Sequence, residues 1–205
     1  MDKITRSAEP AWLAEKWQEW GEDLQAKYAE AGKASGFIWH QYNNQGYKTL
    51  VEALSAMTVR HCSFCDAFPM GSSIPNTIEH FKPKSIYPLF AYKWDNLFLC
   101  CGICQRKGDK FDEMLLKPDS DSYSFDDYFD IHWDTGELIP NRDASHEAQA
   151  SALLTIELYQ LNKNGKPSDR KRELTHYQLM KNSDSSMSLN IDEFSFRFYL
   201  TRGVS

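Results

Sequence analysis

The sequence predicts an α+β fold, mostly α-helical, with a zinc-stapled segment embedded between N- and C-terminal helical regions. Three observations lead there. Four of the five cysteines form two CxxC pairs, Cys62/Cys65 and Cys101/Cys104, with 35 residues between them. Apolar residues before and after this window recur at helical spacing. Inside it, the run through Ile78 ends in Glu79-His80, as at the end of a strand, and Asn96-Leu97-Phe98-Leu99 opens a second strand-like run. The chain divides accordingly into an N-terminal helical region (1–60), a cysteine-framed core (61–116) and a mostly helical C-terminal region (117–205).

The elements follow in order. Residues 8–31 read as a helix: Pro10 suits a first turn, and Trp12, Leu13, Trp17, Trp20 and Leu24 form one stripe. That stripe is read first as internal packing and second as an anchor for a partner. Gly32 to Gly46 is a loop interrupted by the aromatic Phe37-Ile38-Trp39-His40. A second helix fits Tyr47–Val59, with Leu50, Leu54 and Met57 on one face. Beyond the core, 117–122 is turn-rich, and Tyr128–Trp133 with Glu137–Pro140 suggests a hairpin across Asp134-Thr135-Gly136. A helix is expected over Ala144–Leu161, with Ala148, Ala152, Ile156 and Tyr159 on its buried face, stopping at Gly165. Another starts with Ser168 as its cap and carries a basic surface. A polar break at 183–188 precedes a final aromatic segment, Phe194–Tyr199.

The chain has 205 residues, 41% of them hydrophobic, enough for a packed core and against wholesale disorder. No apolar run approaches the ~18 residues that span a bilayer, and no signal-peptide core opens the chain, so it is expected to be soluble and cytoplasmic, with no membrane partner. Net charge is −6, from 29 acidic and 23 basic residues. That counts against an autonomous polyanion binder. From Ile78 to Lys110, however, six Lys or Arg (82, 84, 93, 106, 107, 110) face three acids (79, 95, 109). A locally basic core in an acidic chain suggests reliance on a partner to hold a polyanion.

In a reducing compartment two CxxC pairs are read as thiolate ligands, and four thiolates fit a closed, structural Zn2+. The alternative is four buried free cysteines. Cys100, the spare, continues the apolar run and reads as a buried small hydrophobe. His80 is the reactive candidate, since a neutral imidazole can take a proton from water. Glu79 beside it could hold a hard divalent cation, Mg2+ or Mn2+, to offset charge on a phosphate. The Asn96 amide could bond backbone groups and pin the loop before it. Lys82, Lys84, Arg106 and Lys107 are candidate phosphate contacts.

The motifs Glu79-His80-Phe81-Lys82-Pro83-Lys84, Trp94-Asp95-Asn96-Leu97 and Cys104-Gln105-Arg106-Lys107-Gly108-Asp109-Lys110-Phe111 resemble the HNH endonucleases, in the group associated with retrons and Septu systems (PtuB-like). They cover about the middle quarter of the chain, and Thr155–Asn162 is similar as well. The resemblance implies a ββα-metal finger, with His80 as general base, Glu79 as catalytic-metal ligand and Asn96 as the loop-stabilising residue. Gln105 departs from the pattern, standing where His or Asn is usual, and Asp109 or water could replace it at the cation. The resemblance also implies a PtuA-like ATPase partner, in retron versions a reverse transcriptase with its RNA–DNA product, and a DNA or tRNA substrate in anti-phage defence. The competing reading is a zinc-stapled nucleic-acid- or protein-binding module with a degenerate active site, and a restriction enzyme for modified DNA ranks last. Replacing His80 by Ala is expected to leave folding nearly intact, and truncating residues 1–31 to impair complex formation more than folding of the finger.

Overall fold

The computed structural model describes residues 1–183 and 189–203. Among the described residues there are six α-helices and two separate two-stranded antiparallel sheets. Helix α1 (Ala11–Ala31) buries Leu13, Trp20 and Leu24, spaced to fall on one face, and ends at Gly32 in the left-handed conformation. Trp12 and Trp17 are half-buried at the edge of the same face, so the tryptophan stripe is chiefly a packing surface. At its centre α1 lies on the short 3-10 turn Pro88–Phe90. A Cβ added to Gly21 would sit 2.6 Å from the Leu89 carbonyl oxygen, so only glycine allows this approach.

Helix α2 (Tyr47–Met57) is opened by Thr49, whose hydroxyl accepts from the Gly46 amide at 2.8 Å, and it buries Leu50 and Leu54. It leads into the first cysteine pair. Strands β1 (Asn76–His80) and β2 (Leu97–Cys101) then pair antiparallel, with Ile78 opposite Leu99 and His80 opposite Leu97. All five residues of β2 are buried, which explains its unbroken apolar sequence.

The third element departs from the ββα expectation. After Cys104 the chain makes only a 3-10 turn, Cys104–Lys107. Gly108 ends it at φ 59°, ψ −130°, a backbone open to glycine and strained for other residues. The next α-helix is the single turn α3 (Phe125–Tyr128).

The C-terminal region wraps back onto the finger. The expected hairpin forms as β3 (Phe129–His132) and β4 (Glu137–Pro140). Helix α4 (His146–Leu158) is capped by the Ser145 hydroxyl, which accepts from the Ala148 amide. Of the expected line, Ala152 and Tyr159 are buried and Ala148 and Ile156 half-buried, with Ser151 and Thr155 buried beside them. Helix α5 (Lys166–Ser183) starts directly after Gly165, so Ser168 sits within its first turn and is not its cap. Its basic surface is divided: Lys171 and Arg172 are exposed, whereas Lys166 and Arg170 are buried. The polar break expected over 183–188 lies, beyond Ser183, outside the described residues. Helix α6 (Arg197–Gly203) buries Phe198, Tyr199 and Leu200.

One hydrophobic cluster runs through all three regions, from Met1 and Leu13 through Phe98 to Tyr159 and Phe198. The first residues belong to it directly. The Ile4 amide donates to the Pro118 carbonyl at 2.9 Å, and Arg6 donates to the Trp94 carbonyl at 2.7 Å while its guanidinium lies over the Phe98 ring. Removing residues 1–31 would therefore also strip supports from the segment between the cysteine pairs.

Candidate metal centre and histidine site

The two CxxC turns meet. The Sγ atoms of Cys62, Cys65, Cys101 and Cys104 all lie within 4.8 Å of one another, and all four residues are buried. Cys65 and Cys101 are 3.7 Å apart, far beyond a disulfide bond. Four sulfurs at tetrahedral corners ~2.3 Å from a zinc ion stand ~3.8 Å from one another, so the donor set fits that ion. Cys100 is buried against this cluster without belonging to the four: its thiol is directed to the Cys101 carbonyl and neighbours the Cys62 and Cys104 sulfurs.

The surroundings hold the cluster from several directions. The Cys101 amide donates to Cys62 Sγ at 3.4 Å and the Cys104 amide to Cys101 Sγ at 3.5 Å. From α5, the buried Lys166 ammonium donates to Cys104 Sγ at 3.4 Å and to the Tyr159 and Gln160 carbonyls. Burial alone would lower the Lys166 pKa, but the negative charge of the Cys65, Cys104, Cys101 and Cys62 thiolates outweighs it and holds the group above its ordinary value. Asp66, next to Cys65, pairs with Arg197 of α6 at 2.7 Å, and the His61 ring reaches the Phe194 carbonyl at 3.0 Å. The first cysteine turn is thereby tied to the C-terminal segment.

Glu79 and His80 are neighbours on β1, and strand side chains alternate between faces. They therefore diverge. His80 Nε2 lies 2.9 Å from the Ala91 carbonyl oxygen, which can only accept. Nε2 must carry the hydrogen, leaving the lone pair of a neutral ring on Nδ1. Trp39 stacks on the imidazole at 5.5 Å and Phe37 meets it edge-on at 5.4 Å. Burial, joined by the nearby Lys84 and Lys107 charges and opposed by the Ala91 bond, pushes the His80 pKa down to about 3. The ring is neutral at physiological pH, and it is packed like a core residue. The expectation that His80→Ala spares the fold is thus corrected.

Glu79 turns instead toward the interior and meets Lys107, Oε1 to Nζ 2.9 Å, with the two side chains 5% and 0% exposed. The ammonium also donates to the carbonyls of His80, Phe81, Gly108 and Lys110. Lys107, expected at a substrate phosphate, is therefore placed where no phosphate can reach it. Burial raises the Glu79 pKa to about 7, against the pull of Lys107.

Asn96 is buried and makes three backbone bonds. Its Oδ1 accepts from the Lys82 amide at 2.7 Å, and Nδ2 donates to the Lys82 and Phe90 carbonyls at 3.0 and 2.9 Å. It closes the loop from the end of β1 to the start of β2 and so fixes Ala91 beneath His80. In Asn96→Ala these groups lose their partner inside the protein, and stability is expected to fall by ~2–4 kcal/mol in denaturant melts.

A cleft of about 90 Å³ is bordered by Glu79, His80, Lys84, Gln105 and Asp109. Gln105 Nε2 donates to the Ile78 carbonyl at 3.3 Å, and Asp109 accepts from the Ser85 hydroxyl. Lys84 lies over the Phe37 ring at the same cleft, and Arg106, next to Gln105 in sequence, is exposed. Lys82 does not join them. It pairs with Glu113 and borders a different, wider cleft of about 550 Å³.

Glu79 Oε1 is not free for a divalent cation, because the Lys107 ammonium already occupies that oxygen. The residues sequence reasoning missed are Lys166, Trp39, Phe37 and Ala91. Of these, only the aromatic run 37–40 carried a signal, being out of place in a loop. No protein-family model matches the chain, and no curated protein is similar to it.

Proposed function

We propose that this chain is a nuclease of the HNH type that hydrolyses phosphodiester bonds, with Zn2+ in the four-cysteine centre as a structural ion. The observation that carries the reading is the fixed tautomer of His80. With Nε2–H committed to the Ala91 carbonyl, Nδ1 is the atom able to take a proton from an attacking water. The ring borders a cleft whose charged side chains include Lys84, suited to a phosphate oxygen. An anionic phosphodiester entering the cleft would raise the imidazole pKa toward the range where it is an effective base. Magnesium or manganese is what the resemblance calls for; with Glu79 Oε1 held by Lys107, the proton and charge roles fall in this reading to the protein's own groups.

The motif resemblance further supports an effector subunit of an anti-phage system, beside a PtuA-like ATPase and in some settings a reverse transcriptase with its RNA–DNA product. The overall charge of −6 agrees with an effector that is handed its nucleic acid.

A binding module with a degenerate site is the second reading, favoured by Gln105 and by the Lys107–Glu79 pairing. Incubation of the zinc-loaded protein with plasmid DNA and with total tRNA, with and without magnesium, separates the two. Cleavage is expected, falling by roughly 10²–10⁴-fold in His80→Gln, which keeps a donor for Ala91. Equal cleavage by His80→Gln would remove His80 from the chemistry, and no cleavage of either substrate would favour the binding module.

A further inference from the structure

The environment of Lys107 is that of a bound cation. Five oxygens lie close to Nζ: Glu79 Oε1 at 2.9 Å and the carbonyls of Lys110, Phe81, Gly108 and His80 at 3.1, 3.2, 3.3 and 3.4 Å. An ammonium has three N–H bonds for these five acceptors. The three N–H bonds are shared among the carbonyls, and Glu79 Oε1, the nearest of the five oxygens, adds the opposite charge. The side chain is fully buried and lies between the end of β1 and the turn after the second cysteine pair. A cage of one carboxylate and several carbonyl oxygens is also the kind that holds a hard metal ion.

We propose that Lys107 is a tethered cation: its ammonium fills this oxygen cage, excludes a divalent ion from Glu79, and joins β1 to the Cys104–Lys107 turn. Lys107 is then a positioning residue. Through the His80 and Phe81 carbonyls it fixes the backbone that aims the imidazole, and Glu79 serves as its counter-ion. This holds whether or not the chain cuts nucleic acid.

The test uses the full-length zinc-loaded protein and Mn2+ as probe, with bound Mn2+ read by electron paramagnetic resonance. Wild type and Glu79→Gln are expected to give superimposable Mn2+ isotherms. A wild-type site that disappears in Glu79→Gln would overturn the proposal. Lys107→Ala should melt lower than wild type, gain a Mn2+ site and recover part of its melting temperature as Mn2+ is added. Both gains should vanish in Lys107→Ala/Glu79→Gln. A folded Lys107→Ala variant that is as stable as wild type, or that gains no Mn2+ site, would refute the tethered-cation role. If Lys107→Ala does not fold, the comparison of wild type with Glu79→Gln decides alone. Nucleic acid enters no arm, so failure here is separable from failure of the nuclease reading.

Discussion

Cys62→Ser and Cys104→Ser are each expected to lose bound zinc and to lower the melting temperature by about 10 °C or more. A structural zinc ion contributes on the order of 10 kcal/mol to the fold that binds it, whereas a domain's net stability is only ~5–15 kcal/mol. In a chain of this size each kcal/mol moves the midpoint by roughly 2–4 °C, so even partial loss of the site registers. The damage should not stay local, because the first cysteine turn is tied to α6 through Asp66–Arg197 and the second to α5 through Lys166. With the metal gone, Lys166 keeps its burial cost and loses the charge it answers. Cys100→Ala is the control: it removes a buried neighbouring thiol that is not one of the four candidate ligands. It should keep one zinc per chain and shift the midpoint by only a few degrees. Full zinc occupancy in Cys62→Ser, or equal behaviour of all three variants, would mean that the cluster is not a zinc site.

The cysteine frame was legible in the sequence because its signal is local: a CxxC turn specifies its own geometry. The same is true of β1 and β2, marked by Pro75-Asn76 and by the apolar Leu97–Leu99 run, and of Asn96, whose amide bonds the loop it closes. What could not be read were pairings set by the third dimension. Lys107 looked like a surface base in a basic stretch, and only the fold shows it turned inward against Glu79. Lys166 and Arg170 were hidden in a basic helix start whose phase depended on whether Gly165 or Ser168 began it. Adjacent Glu79 and His80 suggested one pair of catalytic side chains; both border the same small cleft, but the carboxylate is taken up by Lys107 and the imidazole by the Ala91 carbonyl. The helix expected after the second cysteine pair is replaced for a local reason, a short Cys104–Gly108 connection that ends in a backbone conformation favouring glycine. Phe37 and Trp39 reach His80 across more than forty residues of chain, and no spacing announces that.

Acid should reveal His80 and Glu79 as opposing titrations, and this is the second large effect. The folded-state pKa of His80 is depressed to about 3 from 6.5. Its contribution to stability is therefore complete above pH 6.5 and is lost as pH falls toward 3, because the unfolded chain takes up a proton that the folded ring refuses. Fully expressed, a shift of that size is worth on the order of 5 kcal/mol. Glu79 runs the other way. Its pKa is raised from 4.5 to about 7, so its contribution is complete below pH 4.5 and is lost as pH rises through 7. Between about pH 4.5 and 6.5 the two slopes nearly cancel in wild type, and single variants should expose each. Over that window His80→Gln should gain stability on acidification and Glu79→Gln should lose it, each by roughly 1.4 kcal/mol per pH unit relative to wild type. Denaturant melts at pH 4.5, 5.5 and 6.5 read this out, with Cys100→Ala as a variant that changes neither group. Parallel curves for wild type and His80→Gln would mean that the ring carries its proton across the window. A ring so protonated could not accept one from water there, so the fold energetics and the proposed chemistry stand or fall on the same imidazole.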